Sequence, residues 1–229
     1  MREKELYEEQ LVHDFESALR NNEFKVFYQP KFNIKENTPY LSSAEALVRW
    51  FHPSLGFISP GDFIPLFEEN GLIQRLDKFV WCEVGKKLKE WKNNLGFFVP
   101  VSVNVSRIDM YEPDFIDTLM DIINSNNLTT KDIYLEITES AYTSDSDQMI
   151  EIVNELRGLG FKIEMDDFGT GYSSLNMISE LPIDVLKLDM VFLRNAYSSF
   201  SSAYPIYPSN LGLNDTADQK IRNAGSKVA

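Results

Sequence analysis

One cysteine and two histidines are all the thiol or imidazole ligands this chain of 229 residues carries. Cys82 has no partner for an intrachain disulfide, and within the apolar stretch FVWCEV it reads as core filler rather than a nucleophile. His13 and His52 are too few and too far apart for a zinc site, so any metal must be held by oxygen. Long apolar runs are missing too: none approaches the roughly 20 residues a membrane helix requires. The opening MREKELYEEQ has no apolar signal-peptide centre, which makes a soluble, cytoplasmic protein the expectation. Basic charge is the scarce sign, 22 Lys and Arg against 35 Asp and Glu for a formal charge of −13. That balance excludes broad electrostatic binding to DNA, RNA or anionic membrane. A phosphate ligand would need local cations or metal ions to reverse the field at its site. Gly169-Thr170-Gly171 lacks the third glycine of a dinucleotide fingerprint and no Gly-Lys-Ser/Thr occurs, so Rossmann and P-loop readings fall away.

What is present is enough apolar residue, 43%, to bury a core of one large domain or two small ones. Leu6, Leu11, Phe15 and Leu19 recur at helical spacing in residues 1–22, predicting a lead-in helix or a linker from an upstream domain. Phe24–Gln29 and Ser42–Trp50 read as strands, with Pro30 placed where a strand ends or an edge permits it. Ser59-Pro60 predicts a hydroxyl-capped helix start closed by Gly71, and Gln74–Lys92 carries a core stripe of Leu76, Val80, Val84, Leu88 and Trp91. Phe97–Val105 is apolar enough for a strand buried on both faces; Glu112–Asn124 predicts a helix and Ile133–Ile137 a strand. Asp145 and Asp147 open a helix whose face is Met149, Ile152, Val153, Leu156 and Leu159, and Gly160 stops it. Ile163 begins another strand, and Leu181–Leu188 a further one. Strand and helix alternating about every 30 residues is the rhythm of a parallel α/β sheet, here without a nucleotide fingerprint. A barrel with polar groups at successive strand ends is the expected architecture.

The polar residues at those strand ends share a chemistry. Asp166 and Asp167 are adjacent in IEMDDFGTGYSS, where an ordinary strand would send them to opposite faces. At a strand end both can turn to one point, and divalent cations between them would relieve their repulsion; an acidic turn capped by glycines is the plainer alternative. Glu45 and Arg49 share a strand face with Leu47 between them, as an ion pair or as holders of a metal and a phosphate. Glu136 lies inside an apolar run, where an uncompensated charge is costly. Together Glu45, Asn104, Glu136, Asp166 and Asp167 form a hard-oxygen set suited to Mg²⁺ or Mn²⁺, with Lys187 as a positive amine beside them. An enolase-like barrel with a lysine base would use similar residues for proton abstraction; the Asp-Asp pair argues against it.

The segments FYQP, AEALVRW, SPGDFIP, EENGLI, SVNVS, EITES, DDFGTGYSSL and KLD occur in that order from about Phe24 to Phe192. In these motifs the chain resembles the EAL-domain phosphodiesterases, which hydrolyse the bacterial second messenger cyclic di-GMP to linear pGpG. The resemblance implies a (β/α)8 TIM-type barrel with a modified first strand and two divalent metals, Mg²⁺ or Mn²⁺. It implies that Glu45, Asn104, Glu136 and Asp166 hold the first metal, and that Asp166 bridges to a second with Asp167. Lys187, Glu45 and Asp167 become the catalytic residues, with Lys187 orienting or deprotonating the attacking water. Gln29, Leu47, Arg49 and Asp189 would meet the substrate, and Glu139, Gly169, Thr170 and Gly171 would organise the loop that shapes the second metal site. A homodimer through the barrel loops and an upstream GGDEF or sensory domain are implied as well. The chain departs from the pattern after KLD: no AEGVE-like acidic segment follows, and from Tyr197 the sequence is rich in Ser, Pro and Asn. The expectation is an EAL domain over 23–194 lacking its last two βα units and an irregular tail over 195–229. The second metal site is then short of a ligand. The alternative function is an impaired EAL module that binds cyclic di-GMP or a protein partner as a receptor.

Overall fold

The computed structural model describes residues 2–35, 38–96, 99–138, 146–168 and 182–189. The chain divides into two compact units, Met1–Leu188 and Asp189–Ala229; every element below belongs to the first, and of the second only Asp189 is described. Helix α1 (Arg2–Arg20) leads into β1 (Phe24–Asn33), β2 (Tyr40–His52) and the short β3 (Gly56–Ile58). Helices α2 (Pro60–Glu69) and α3 (Ile73–Asn94) follow, then β4 (Val101–Asn104), α4 (Arg107–Met110) and α5 (Phe115–Ser125). The series continues with β5 (Ile133–Thr138), α6 (Ser146–Gly158), β6 (Lys162–Phe168) and β7 (Val185–Leu188). The strand order is β1-β2-β4-β5-β6-β7 with β3 on β2. The β2-β4, β4-β5, β5-β6 and β6-β7 pairs are all parallel, the product of the alternating strands and helices, whereas β1 runs antiparallel to β2. The fold is mixed α/β around a curled sheet. Among the described residues no helix is long and apolar enough to cross a membrane.

The apolar periodicities become the core. On α3, Leu76, Val80, Val84 and Leu88 are buried as their spacing predicts, while Trp91 is only half-buried and packs on Tyr28 with ring centroids 5.0 Å apart. On α1, Leu11, Phe15 and Ala18 are buried and join Phe24, Trp50, Phe63 and Phe67 in an aromatic cluster. Phe15 meets Phe67 edge-on at 4.9 Å and Phe24 lies 4.8 Å from Trp50, so α1 is packed against the first strands and α2. Asp14 of α1 also pairs with His52 at the end of β2, 3.1 Å away.

Several boundaries differ from the sequence reading for local reasons. Strand β1 continues through Pro30 to Asn33; Pro30 costs no ladder bond on its outer side because, among the described strands, β1 pairs with β2 alone. Ser59 precedes α2 but its side chain makes no cap bond; Pro60 at the first turn is what remains of the predicted start. Strand β4 is only four residues long, following Pro100, and Phe97 and Phe98 lie outside the described residues. The helix expected at Glu112–Asn124 is α5, which begins only after Pro113, and a short helix the sequence reading did not include, α4, precedes it, started by a Ser106/Asp109 capping box. Leu159 is exposed because α6 stops at Gly158, and the last strand begins at Val185, after Pro182.

Candidate active site

Strand register brings the polar residues together. Gln29, Glu45 and Ser102 are successive partners across β1, β2 and β4, and Asn104, Glu136 and Glu164 across β4, β5 and β6. Adjacent partners share a face of the sheet, so each row projects from one side. Between β6 and β7 the register slips: Met165 pairs with Leu186 and Phe168 with Leu188, leaving Asp166 and Asp167 opposite the single Lys187. This is a bulge, with Asp167 in the left-handed region at φ 57°. The bulge breaks the strict alternation that would send two neighbouring acids to opposite faces. Asp166 enters the site and receives the backbone N–H of Asp167 on Oδ1 at 2.8 Å, while the rest of Asp167 is exposed.

Among the described acidic, histidine and cysteine side chains, Glu45, Glu136 and Asp166 each bring one carboxylate oxygen within 4.8 Å of the others. Lys187 Nζ sits among them, donating to Glu45 Oε2 at 3.1 Å, Asp166 Oδ2 at 2.8 Å and Glu136 Oε1. Glu45 thus has its ion pair with Lys187, and Arg49 donates to the Val48 carbonyl at 2.9 Å. Burial, then the hydrogen bond with Asp166 and the charge of Glu45, push the Glu136 carboxyl up to about 8 against the pull of Lys187. Burial alone would lower the Lys187 ammonium; its bonds to Asp166 and Glu136 outweigh that and hold it well above the ordinary lysine range. Burial would likewise raise Asp166, but bonds from Glu136, Lys187 and the Asp167 backbone hold it below the carboxylate norm. Three carboxyl groups thus gather around the Lys187 ammonium, and the second oxygen of Glu136 is buried without a hydrogen-bond partner, 3.8 Å from Lys31 Nζ. Such a hard oxygen set fits a divalent cation.

Beside the cluster lies a cavity of about 470 Å³ whose lining includes Leu47, Arg49, Asp77, Asn104, Ser106 and Arg107. Asn104 is exposed at the end of β4, and its backbone carbonyl accepts from Trp81 Nε1 at 2.9 Å. Arg49 and Arg107 give this cavity cations that the net charge of the chain does not suggest. Asp77 is raised well above the carboxylate range by burial, by the charge of Asp109 and by the hydrogen bond it shares with that residue. Gln29 is exposed on β1, and Asp189 falls in the second unit. Glu139, Gly169, Thr170 and Gly171 lie outside the described residues.

Sequence reasoning missed a second polar cluster. Lys31 Nζ donates to Glu164 Oε2 at 2.6 Å and to Ser102 Oγ at 2.7 Å, and Ser102 Oγ donates to Glu164 Oε2 at 2.8 Å. Ser102 stands two residues before Asn104 and Glu164 two before Asp166, so period-two alternation could have placed both on the site's face. Lys31 carried no such signal, because the strand was expected to end at Gln29.

The EAL domain family model matches residues 12–203 of the chain. Among curated relatives, the bifunctional diguanylate cyclase/cyclic di-GMP phosphodiesterase MucR of Pseudomonas aeruginosa is 34% identical over 212 residues, 93% of this chain and 30% of MucR. The cyclic di-GMP phosphodiesterase PdeR of Escherichia coli is 35% identical over 180 residues, 79% of this chain and 27% of PdeR. The chain therefore spans about a third or less of the length of these relatives. Among solved structures, the PaMucR phosphodiesterase in complex with c-di-GMP superposes with a TM-score of 0.75 at 34% identity, covering 85% of this chain and 78% of that one. The EAL enzyme Bd1971 in its cGMP-bound form also gives 0.75, at 31% identity over 86% of this chain and 55% of that one.

Proposed function

Because the chain belongs to the EAL domain family, we propose that it is a metal-dependent phosphodiesterase that opens cyclic di-GMP to linear pGpG. The observation that carries this reading is the convergence of Glu45, Glu136 and Asp166, from three strands, on one point beside a cavity lined by Arg49 and Arg107. Its support from relatives is that MucR and PdeR are named cyclic di-GMP phosphodiesterases. The described strands are then the leading part of a (β/α)8 barrel, and residues 23–194 are its EAL portion. MucR, bifunctional and much longer, supports an upstream cyclase or sensory segment in the same gene product.

In this reading Glu45, Glu136, Asp166 and the side-chain oxygen of Asn104 hold the first ion, and Asp167 assists at a second. Mg²⁺ or Mn²⁺ bound there would supply a nucleophile at neutral pH and neutralise charge on the phosphoryl group. Lys187, whose ammonium reaches these same carboxylates, orients or deprotonates the attacking water. Arg49, with Leu47 beside it, binds the phosphate and sugar from the cavity side, and Gln29 approaches from β1. Water oxygen bonds to phosphorus, the P–O3′ bond breaks, and the 3′ oxygen leaves with a proton, giving pGpG.

The test is incubation of the purified chain with cyclic di-GMP and Mn²⁺, products resolved by chromatography. Release of pGpG that disappears in Glu136→Gln is expected. Saturable binding without product would replace this reading with that of a receptor, and neither binding nor product would overturn both.

A further inference from the structure

Lys31 reaches the site from the far side of the sheet. It stands on β1, yet it bonds Glu164 on β6, and β2, β4 and β5 lie between those strands in the sheet order. Its side chain therefore crosses the concave face of the curled sheet. There it meets two buried groups, the Ser102 hydroxyl and the Glu164 carboxylate, at 2.7 and 2.6 Å. Glu164 and Glu136 are register partners on adjacent parallel strands, so two buried carboxylates stand side by side. Lys31 Nζ also lies 3.8 Å from Glu136 Oε2, the oxygen that has no hydrogen-bond partner. Glu136 is thus bracketed by two ammonium groups: Lys187 on Oε1 and Lys31 facing Oε2.

We infer that Lys31 is a positioning residue for the carboxylate cluster. It anchors on Glu164 and Ser102 and holds the second oxygen of Glu136 toward itself, so that Glu136 presents Oε1 alone to the shared point with Glu45 and Asp166. The inference rests on the metal reading of that cluster and adds a residue to it. Losing a partner that orients a ligand carboxylate typically weakens metal binding about 10–100-fold. The sign of the effect separates positioning from charge. Removing a cation beside a site for a dication would tighten binding if only charge mattered; loss of orientation weakens it.

The experiment measures Mn²⁺ dissociation constants by electron paramagnetic resonance of free Mn²⁺ on the full chain, with thermal unfolding in EDTA alongside. Lys31→Met is expected to weaken Mn²⁺ binding about 10–100-fold and to lower the unfolding midpoint by stranding Glu164. The double variant Lys31→Met with Glu164→Gln removes that stranded charge. Its midpoint should return toward the wild-type value while its Mn²⁺ affinity stays weak, and it carries the test if the single variant does not fold. An unchanged or tightened affinity in Lys31→Met, or affinity restored in the double variant, would overturn the positioning role and leave the metal site standing. Absence of Mn²⁺ binding in the wild-type chain would overturn the metal reading and this inference with it.

Discussion

Replacing Lys187 by methionine removes the cation around which the site is assembled while keeping its apolar stem. Lys187 makes three charged hydrogen bonds, to Glu45, Asp166 and Glu136, and the Glu136 side chain has no exposed surface. Taking one partner from a buried ion pair costs about 3–5 kcal/mol, because the other charge is left uncompensated. For a chain of this size each kcal/mol moves the thermal midpoint by about 2–4 °C, so Lys187→Met should melt roughly 6–20 °C lower in EDTA. The three carboxylates then have no competitor for a dication, whereas in the wild type an ion must displace the ammonium. Mn²⁺ at about 1,000 times its dissociation constant returns about 4 kcal/mol, enough to recover most of the loss. Differential scanning fluorimetry of both proteins, in EDTA and across a Mn²⁺ series, reads this directly. A larger Mn²⁺-dependent rise in the variant than in the wild type is expected. If the variant melts low and Mn²⁺ leaves its midpoint unmoved, the carboxylates are not a cation site and the reasoning fails.

Burial, the charge of Asp109 and the hydrogen bond with it raise the folded-state Asp77 carboxyl above its ordinary 3.8. Its contribution to stability is full below about pH 4 and is lost as pH rises above that value, because the unfolded chain releases the proton first. Asp77→Asn keeps the shape without the proton equilibrium; thermal midpoints from pH 5 to pH 8 should fall less steeply in the variant, and an unchanged slope would refute the assignment. Some slope of the same sign should persist from Glu136, raised from 4.5 to about 8. Trp50 is fully buried amid Phe24, Phe63 and Phe67, so Trp50→Ala should cost about 3–5 kcal/mol in urea unfolding; a loss below about 1 kcal/mol would mean that this cluster does not hold α1 and α2 to the sheet.

Elements with strong periodicity were readable in advance. The α3 stripe and the glutamate inside IYLEI depend only on neighbours in sequence, and burial of Glu136 follows from an apolar strand that must face a core. The short helix α4 was harder: it rests on a capping box whose acid, Asp109, also bonds into the interior, and Pro113 separates it from α5. Asp166 and Asp167 show the limit of local rules. Alternation says that two adjacent residues face apart, and a strand end relaxes this, but neither places a bulge there. The register slip against β7, set by how another strand packs, does so.

The order of side chains along the chain determined the alternating strands and helices, the apolar faces, and a supply of oxygen donors near strand ends, because each of these is a property of residues within a few positions of one another. Folding decided which donors meet. Lys187 lies 142 residues from Glu45, and Lys31 lies 133 from Glu164. Their pairing is dictated by strand register and by the curl of the sheet, quantities that exist only once the strands have bonded to each other. A charge buried at such a meeting point must find its partner across space, and no rule of spacing along the backbone names it.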